Sequence, residues 1–251
     1  MKYLAIAVTL IGSQAVNAAT VTYDFSGANP LASFNHDGSS YQVVNERLVP
    51  PLVSDFYNTN LTLQAPVLGG AGNEITLAAE FLYDTALINP NPAEVPGLSL
   101  FINAGSSDAR GEMRALGTAN RDVVAYSVTY DVNSRNDGNP IVNLEDDTWY
   151  RLTFNLQLIG GTFNDELLLT TELFKLGASA DQLISSFSVN SFNFRMLQPD
   201  TLIVGLTAQR SAGIAAVDNF TVSAVPVPAA VWLFISGLFG LIAVAKRKTN
   251  T

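Results

Sequence analysis

The chain of 251 residues contains no cysteine and only one histidine, His36. Without cysteine there is no disulfide framework, no thiolate zinc site and no cysteine nucleophile. A chain of this size buries a core large enough to do without disulfides even outside the cell. With a single histidine, a Ser-His-Asp triad would have to use His36. The chain has no G-x-S-x-G elbow, however, and His36-Asp37-Gly38 reads as a turn. Glycine-rich phosphate loops and histidine metal clusters are missing as well. So is any lengthy helical pattern before Pro226.

Positive charge is scarce, with 13 Lys and Arg against 22 Asp and Glu. Four of the basic residues, Lys2, Lys246, Arg247 and Lys248, lie at the two ends, so the formal charge of −9 becomes −13 for the stretch between them. Such a surface repels nucleic acid and anionic lipid, so neither is expected as a partner. It keeps the protein soluble and tolerates divalent cations and neutral sugars.

The sequence divides into three parts. Residues 1–18, MKYLAIAVTLIGSQAVNA, read as a secretory signal peptide: a positive Lys2, an apolar run from Leu4 to Ile11, and small residues at Val16-Asn17-Ala18 before the cut. Residues 19–224 have the size of one domain. Residues 225–251 hold two prolines, an apolar segment over 229–245 and a basic cluster. A helix of that length spans about 25 Å, enough for a bilayer core. The basic cluster that follows places its end in the cytoplasm. Pro226 and Pro228 require an extended stalk in front of it.

The middle part alternates apolar and polar residues with period two. It does so over Thr20–Phe25, Asn60–Ala65, Glu74–Tyr83, Leu98–Asn103, Val123–Val132, Thr148–Leu158, Glu166–Leu176, Phe187–Phe194, Thr201–Ala208 and Ala215–Val222. Turn signals such as Gly69-Gly70, Asn136-Asp137-Gly138 and Gly160-Gly161 separate these segments, and Ile88–Pro96 reads as a proline-rich loop. Many short strands with alternating faces predict an all-β fold, a two-sheet antiparallel sandwich.

Two stretches add a family likeness. DDTWYRLTFNLQL, followed by ELLLTTELFKLG, resembles the strand pair of concanavalin A-like (laminin-G-like) jelly rolls. VGLTAQRSAGIAAVDNFTVSA resembles their closing strands. The resemblance implies a jelly roll in which Val217-Asp218-Asn219-Phe220 returns the chain next to its start. The ending VPVPAAVWLFISGLFGLIAVAKRK resembles the PEP-CTERM sorting signal in its Val-Pro-x-Pro-Ala variant, with Val225, Pro226, Val227, Pro228 and Ala229 as the proline motif and Lys246, Arg247 and Lys248 as the basic end. That resemblance implies an exosortase-type membrane protease as processing partner. It also implies export to the cell surface or extracellular matrix of a Gram-negative bacterium, in the company of exopolysaccharide. The body then has a structural or polysaccharide-binding role without enzymatic activity. A divergent carbohydrate-active hydrolase and an inert protein-binding coat are the alternatives.

Candidate chemistry in the body is sparse. Retaining glycoside hydrolysis needs two carboxylates about 5 Å apart. Glu74 and Glu80 share a strand face by parity but lie about 20 Å apart. Glu145-Asp146-Asp147 precedes a strand and reads as a solvated turn. No cofactor is expected. Calcium is the one inorganic candidate, through Asp131, Asn133, Asp137 and Asn139. Their loop departs from the D-x-[DN]-x-[DN]-G pattern, and an ordinary Asn/Asp turn accounts for it equally. Tyr57, Tyr126, Tyr130, Trp149 and Tyr150 are candidates for stacking on sugar rings, with core packing as the plainer role. Trp149 and Tyr150 are neighbours in one strand, so one faces the core and the other does not.

Overall fold

The computed structural model describes residues 19–36, 41–51, 60–64, 71–88, 95–104, 107–115, 123–130, 141–159, 166–191 and 202–226. The expected signal peptide, Tyr57, the candidate calcium loop, and the tail from Val227 onward with its 229–245 segment lie outside these residues. Among the described residues no helix is long and apolar enough to cross a membrane.

Two antiparallel sheets form the molecule. One is built from β1 (Ala19–Tyr23), β3 (Gln42–Val44), β4 (Arg47–Val49), β6 (Ala71–Tyr83), β11 (Thr148–Ile159), β12 (Glu166–Lys175), β13 (Gln182–Ser191) and β15 (Ile214–Pro226). Its order is β13-β12-β11-β6-β15-β4-β3, with β1 also paired to β15. The other is built from β2 (Asn35–His36), β5 (Asn60–Gln64), β7 (Val95–Ala104), β8 (Ser107–Ala115), β9 (Val123–Tyr130), β10 (Ile141–Val142) and β14 (Leu202–Ala208). Its order is β10-β9-β8-β7-β14-β5-β2. The described helical structure is two short 3₁₀ turns, Thr85–Leu87 and Arg210–Ala212.

Period-two patterning fills the space between the sheets. Ile75, Leu77, Ala79, Phe81 and Tyr83 of β6, and Tyr150, Leu152, Phe154 and Leu156 of β11, point inward. They meet Leu98, Leu100 and Ile102 of β7 and Val204, Leu206 and Ala208 of β14 in one core. Burying a large apolar side chain of this kind contributes roughly 1.5–3 kcal/mol. Phe81 stacks on Tyr150 with ring centroids 5.7 Å apart. The sandwich read from the sequence is the fold that forms.

The closing strand returns as the resemblance implied. Tyr23 pairs with Phe220 and Thr22 with Thr221, so the end of the domain lies against its start. β15 continues through Val225 and Pro226, the latter opposite Ala71 across a bulge. These first two residues of the proline motif are therefore extended backbone within the last strand.

Three details correct the sequence reading. β7 begins at Val95, so Val95 and Pro96 belong to a strand rather than to the expected loop. Pro96 precedes a register shift, a position where a strand tolerates a residue without an N–H. His36 is not in a turn: its backbone pairs with Leu61 in β2. β8 does not appear among the expected strands at all.

Candidate functional site

The outward face of the eight-stranded sheet carries the most regular arrangement in the molecule. Register places Ser188, Thr170, Asn155, Thr76, Ser223 and Thr20 side by side across six neighbouring strands. Two residues further along each strand a second row reads Ser186, Glu172, Thr153, Ala78, Thr221 and Thr22. Neighbours within a row are about 4.8 Å apart, rows about 6.7 Å apart, and a row spans about 24 Å. Every residue in the two rows is exposed or half-buried.

These side chains are short, and many are already linked. Thr20 Oγ1 lies 3.0 Å from Ser223 Oγ, Thr22 Oγ1 3.1 Å from Thr221 Oγ1, and Thr170 Oγ1 2.9 Å from Ser188 Oγ. Asn155 Nδ2 donates to Thr76 Oγ1 at 2.8 Å and to Glu74 Oε1 at 2.6 Å. The links restrict the rotamers, so the hydroxyls hold fixed directions. Such a face offers donors and acceptors along the whole length of each row.

One end of this face is charged and aromatic. Phe174, Arg151, Glu80 and Asp218 form the next row. Arg151 Nη2 is 2.7 Å from Asp181 Oδ2, and the Arg151 guanidinium lies over the Phe174 ring at 5.2 Å. Asn219 Nδ2 donates to Glu80 Oε2 at 2.7 Å. Burial holds the Asp218 carboxyl above its ordinary value; the hydrogen bond from the Asn219 N–H and the charge of Arg47 oppose the shift. Beyond this row Trp149 stands opposite Leu82, with the Arg47 guanidinium 5.0 Å from its ring centre. Trp149 is half-buried while Tyr150 is in the core, as alternation requires.

Tyr150 has a further role in the core. Its hydroxyl accepts from the Glu145 N–H at 2.8 Å, and burial raises its pKa. Glu145-Asp146-Asp147 is an exposed turn, as read, but a tethered one. Glu145 Oε1 pairs with Lys175 Nζ at 2.5 Å. Asp146 Oδ1 accepts from the Thr85 N–H at 2.7 Å and the Thr85 hydroxyl at 3.0 Å. Asp147 turns the chain with φ 48°. Glu74 and Glu80 face the same way on β6, each bonded to a different asparagine, and the carboxylate residue beside Glu80 is Asp218, its register partner on β15.

The seven-stranded sheet holds a polar cluster that sequence reasoning missed. On the face of β7 and β8 opposite the core, Ser99 Oγ donates to Glu112 Oε1 at 3.2 Å. Arg110 Nη1 is 4.0 Å from that same oxygen, and its guanidinium lies 5.2 Å from the Phe101 ring centre. Glu112 is 1% exposed, and Ser99, Phe101 and Thr207 are buried beside it. A carboxylate taken out of water this far is held by its compensating cation and hydroxyl. Across the strands Glu112 stands opposite Ser99 on one side and Tyr126 on the other, with no second carboxylate in register. Tyr126 and Tyr130 both fall in β9. The alternation in LSLF and the pairing of opposite charges in RGEMR were the available signals.

Among the described residues no group of three His, Asp or Glu stands close enough to hold a metal ion. No protein-family model matches the sequence, and no curated protein does. Solved structures similar to the chain include winged bean acidic lectin complexed with methyl-alpha-D-galactose, at 12% identity and TM-score 0.48, over 83% of this chain and 99% of that one. Peanut lectin with a 9mer peptide is similar at 11% identity and TM-score 0.45, over 82% and 96%. The Crh5 transglycosylase in complex with NAG is similar at 12% identity and TM-score 0.45, over 86% and 88%.

Proposed function

We propose that this protein is an exported surface or extracellular-matrix component that binds polysaccharide without cleaving it, using the outward face of its eight-stranded sheet. One observation carries the reading: two aligned rows of short, mostly hydroxyl or amide side chains across six strands, pre-set by their own hydrogen bonds. Rows of this length suit a polymer chain or an insoluble polymer surface better than a single sugar, which needs a concave site. The nearby Trp149 supplies an aromatic edge. The proposal keeps the exosortase-type route of export, read from Val225–Lys248, and a final location at the surface of a Gram-negative cell.

The test is retention of the full chain on insoluble β-glucan and chitin particles, with the soluble monosaccharides as competitors. Retention that monosaccharides do not displace is the expected result. The pair Thr22→Val and Thr221→Val keeps strand propensity while removing two hydroxyls, and weakens retention about tenfold, or ~1.4 kcal/mol. A chain retained on no polymer is a structural coat component instead. For the sorting route, removing residues 229–251 in the native host abolishes surface display; unchanged location and processing would sink that part.

A further inference from the structure

Among the described residues five strands end the two sheets sideways: β13, β3 and β1 in one, β10 and β2 in the other. An edge strand offers a row of unpaired N–H and C=O groups to any passing strand. Proteins blunt such edges with brevity, charge, proline or bulges. Brevity serves four of the five: β10 and β2 have 2 residues, β3 has 3 and β1 has 5.

β13 is different. It runs for 10 residues, QLISSFSVNS, paired with β12 on one side through a bulge at Ile184 and then a regular stretch over Ser185–Ser191, and among the described residues it ends the sheet on the other. It contains no charge, no proline and no glycine. Leu183 at its start is 50% exposed, although few large apolar groups are exposed among the described residues. Charge singles out the same strand. The chain carries −9 overall, so two copies repel as wholes. Along β13 they can approach without like charges meeting. The acidic residues beside it are Asp181, bound by Arg151, and Glu172, which lies one strand further in opposite Ser186.

We infer that β13 is the docking edge for a second copy of this chain, pairing antiparallel with its own counterpart about a two-fold axis. A two-fold contact places the same strand against itself in opposite directions, which is the geometry an antiparallel ladder needs. The uncharged, evenly sized side chains Ser186, Ser188 and Asn190 set no like charges opposite each other. The two eight-stranded sheets become one, and the hydroxyl rows that end at Ser186 and Ser188 continue into the partner's. The inference stands on strand order and charge, independently of what the face binds.

The absence of cysteine makes a direct test available. Single substitutions Leu183→Cys, Ser186→Cys, Ser188→Cys and Asn190→Cys are made in the full chain in mild detergent, with Ser26→Cys as an exposed control. In a two-fold ladder the residue nearest the axis faces itself, within the reach of a disulfide. Cross-linking to twice the chain mass is therefore expected at one position or two adjacent ones, falling sharply elsewhere. Light scattering of the unmodified chain gives the dimer mass, and Ser186→Lys with Ser188→Lys gives the monomer with an unchanged far-UV spectrum. Three results overturn the inference. One is uniform cross-linking, or none above the control. Another is a monomeric unmodified chain. The last is a dimer that survives both lysines, which would locate association in another face or in the 229–245 segment.

Discussion

A Cβ atom placed on Gly111 would lie 2.8 Å from the Cβ, Cγ and Cδ2 atoms of Phe154. The two residues belong to opposite sheets, so their contact sets how closely the sheets pack at that point. Gly111→Ala forces the ring or the sheet to shift and should destabilise the protein by about 1–3 kcal/mol. Adding Phe154→Leu, which leaves room for the methyl group, should recover part of the loss. Urea unfolding of the two single variants and the double variant measures the coupling; strictly additive effects would show that the contact is not what matters.

Tyr41 closes the far end of β14. Its buried hydroxyl donates to the Ala208 C=O at 3.2 Å and accepts from the Ala208 N–H at 2.8 Å. Tyr41→Phe leaves both backbone groups buried without that partner. The expected cost is about 1–3 kcal/mol, read as a lower denaturation midpoint with an unchanged slope.

Asn219 adopts φ 47° in the bulged part of β15 and donates to Glu80. Asn219→Gly loses the hydrogen bond but keeps the backbone relaxed. Asn219→Ala loses the bond and strains the backbone as well, so it should be less stable than the glycine variant by about 1 kcal/mol. Thermal melts that rank alanine above glycine would show that φ is not the limiting factor.

Asp218 makes stability depend on pH. Burial raises its folded pKa, so the unfolded chain releases this proton first, near pH ~4. The ionised carboxyl therefore weighs against folding. The penalty is full above the folded value and disappears as pH falls below the unfolded one. Asp218→Asn should stabilise the protein slightly at neutral pH, by less than about 1 kcal/mol because solvent still reaches the group, read as a small rise in melting temperature. That advantage should vanish below about pH 4. An advantage that persists in acid would point to a cause other than ionisation.

How much of this was legible beforehand varies along the chain. EITLAAEFLY and TWYRLTFNLQL announced β6 and β11 because their inward positions are all apolar and their outward ones mostly polar. SDARGEMRA concealed β8, because its inward position Gly111 is apolar only by making room for Phe154, and its outward Arg110 and Glu112 are buried against each other, Ser99 and Phe101. The short hairpin of β3 and β4 was equally hidden. Its turn, Asn45-Glu46, takes positive φ at both residues, and Glu gives no advance sign of that.

By itself the sequence determined the all-β class and the inward sets of strands such as β6 and β11, because alternation along a strand is a local property; the return of Val217–Phe220 to the start of the domain was implied by the family resemblance. Only the tertiary structure decided which strands became neighbours. That choice lined Ser188, Thr170, Asn155, Thr76, Ser223 and Thr20 into one row from six separate segments. It set Ser99 against Glu112 and left β13 at an edge. Strand order is settled by how distant segments pack together, and no local pattern carries that information.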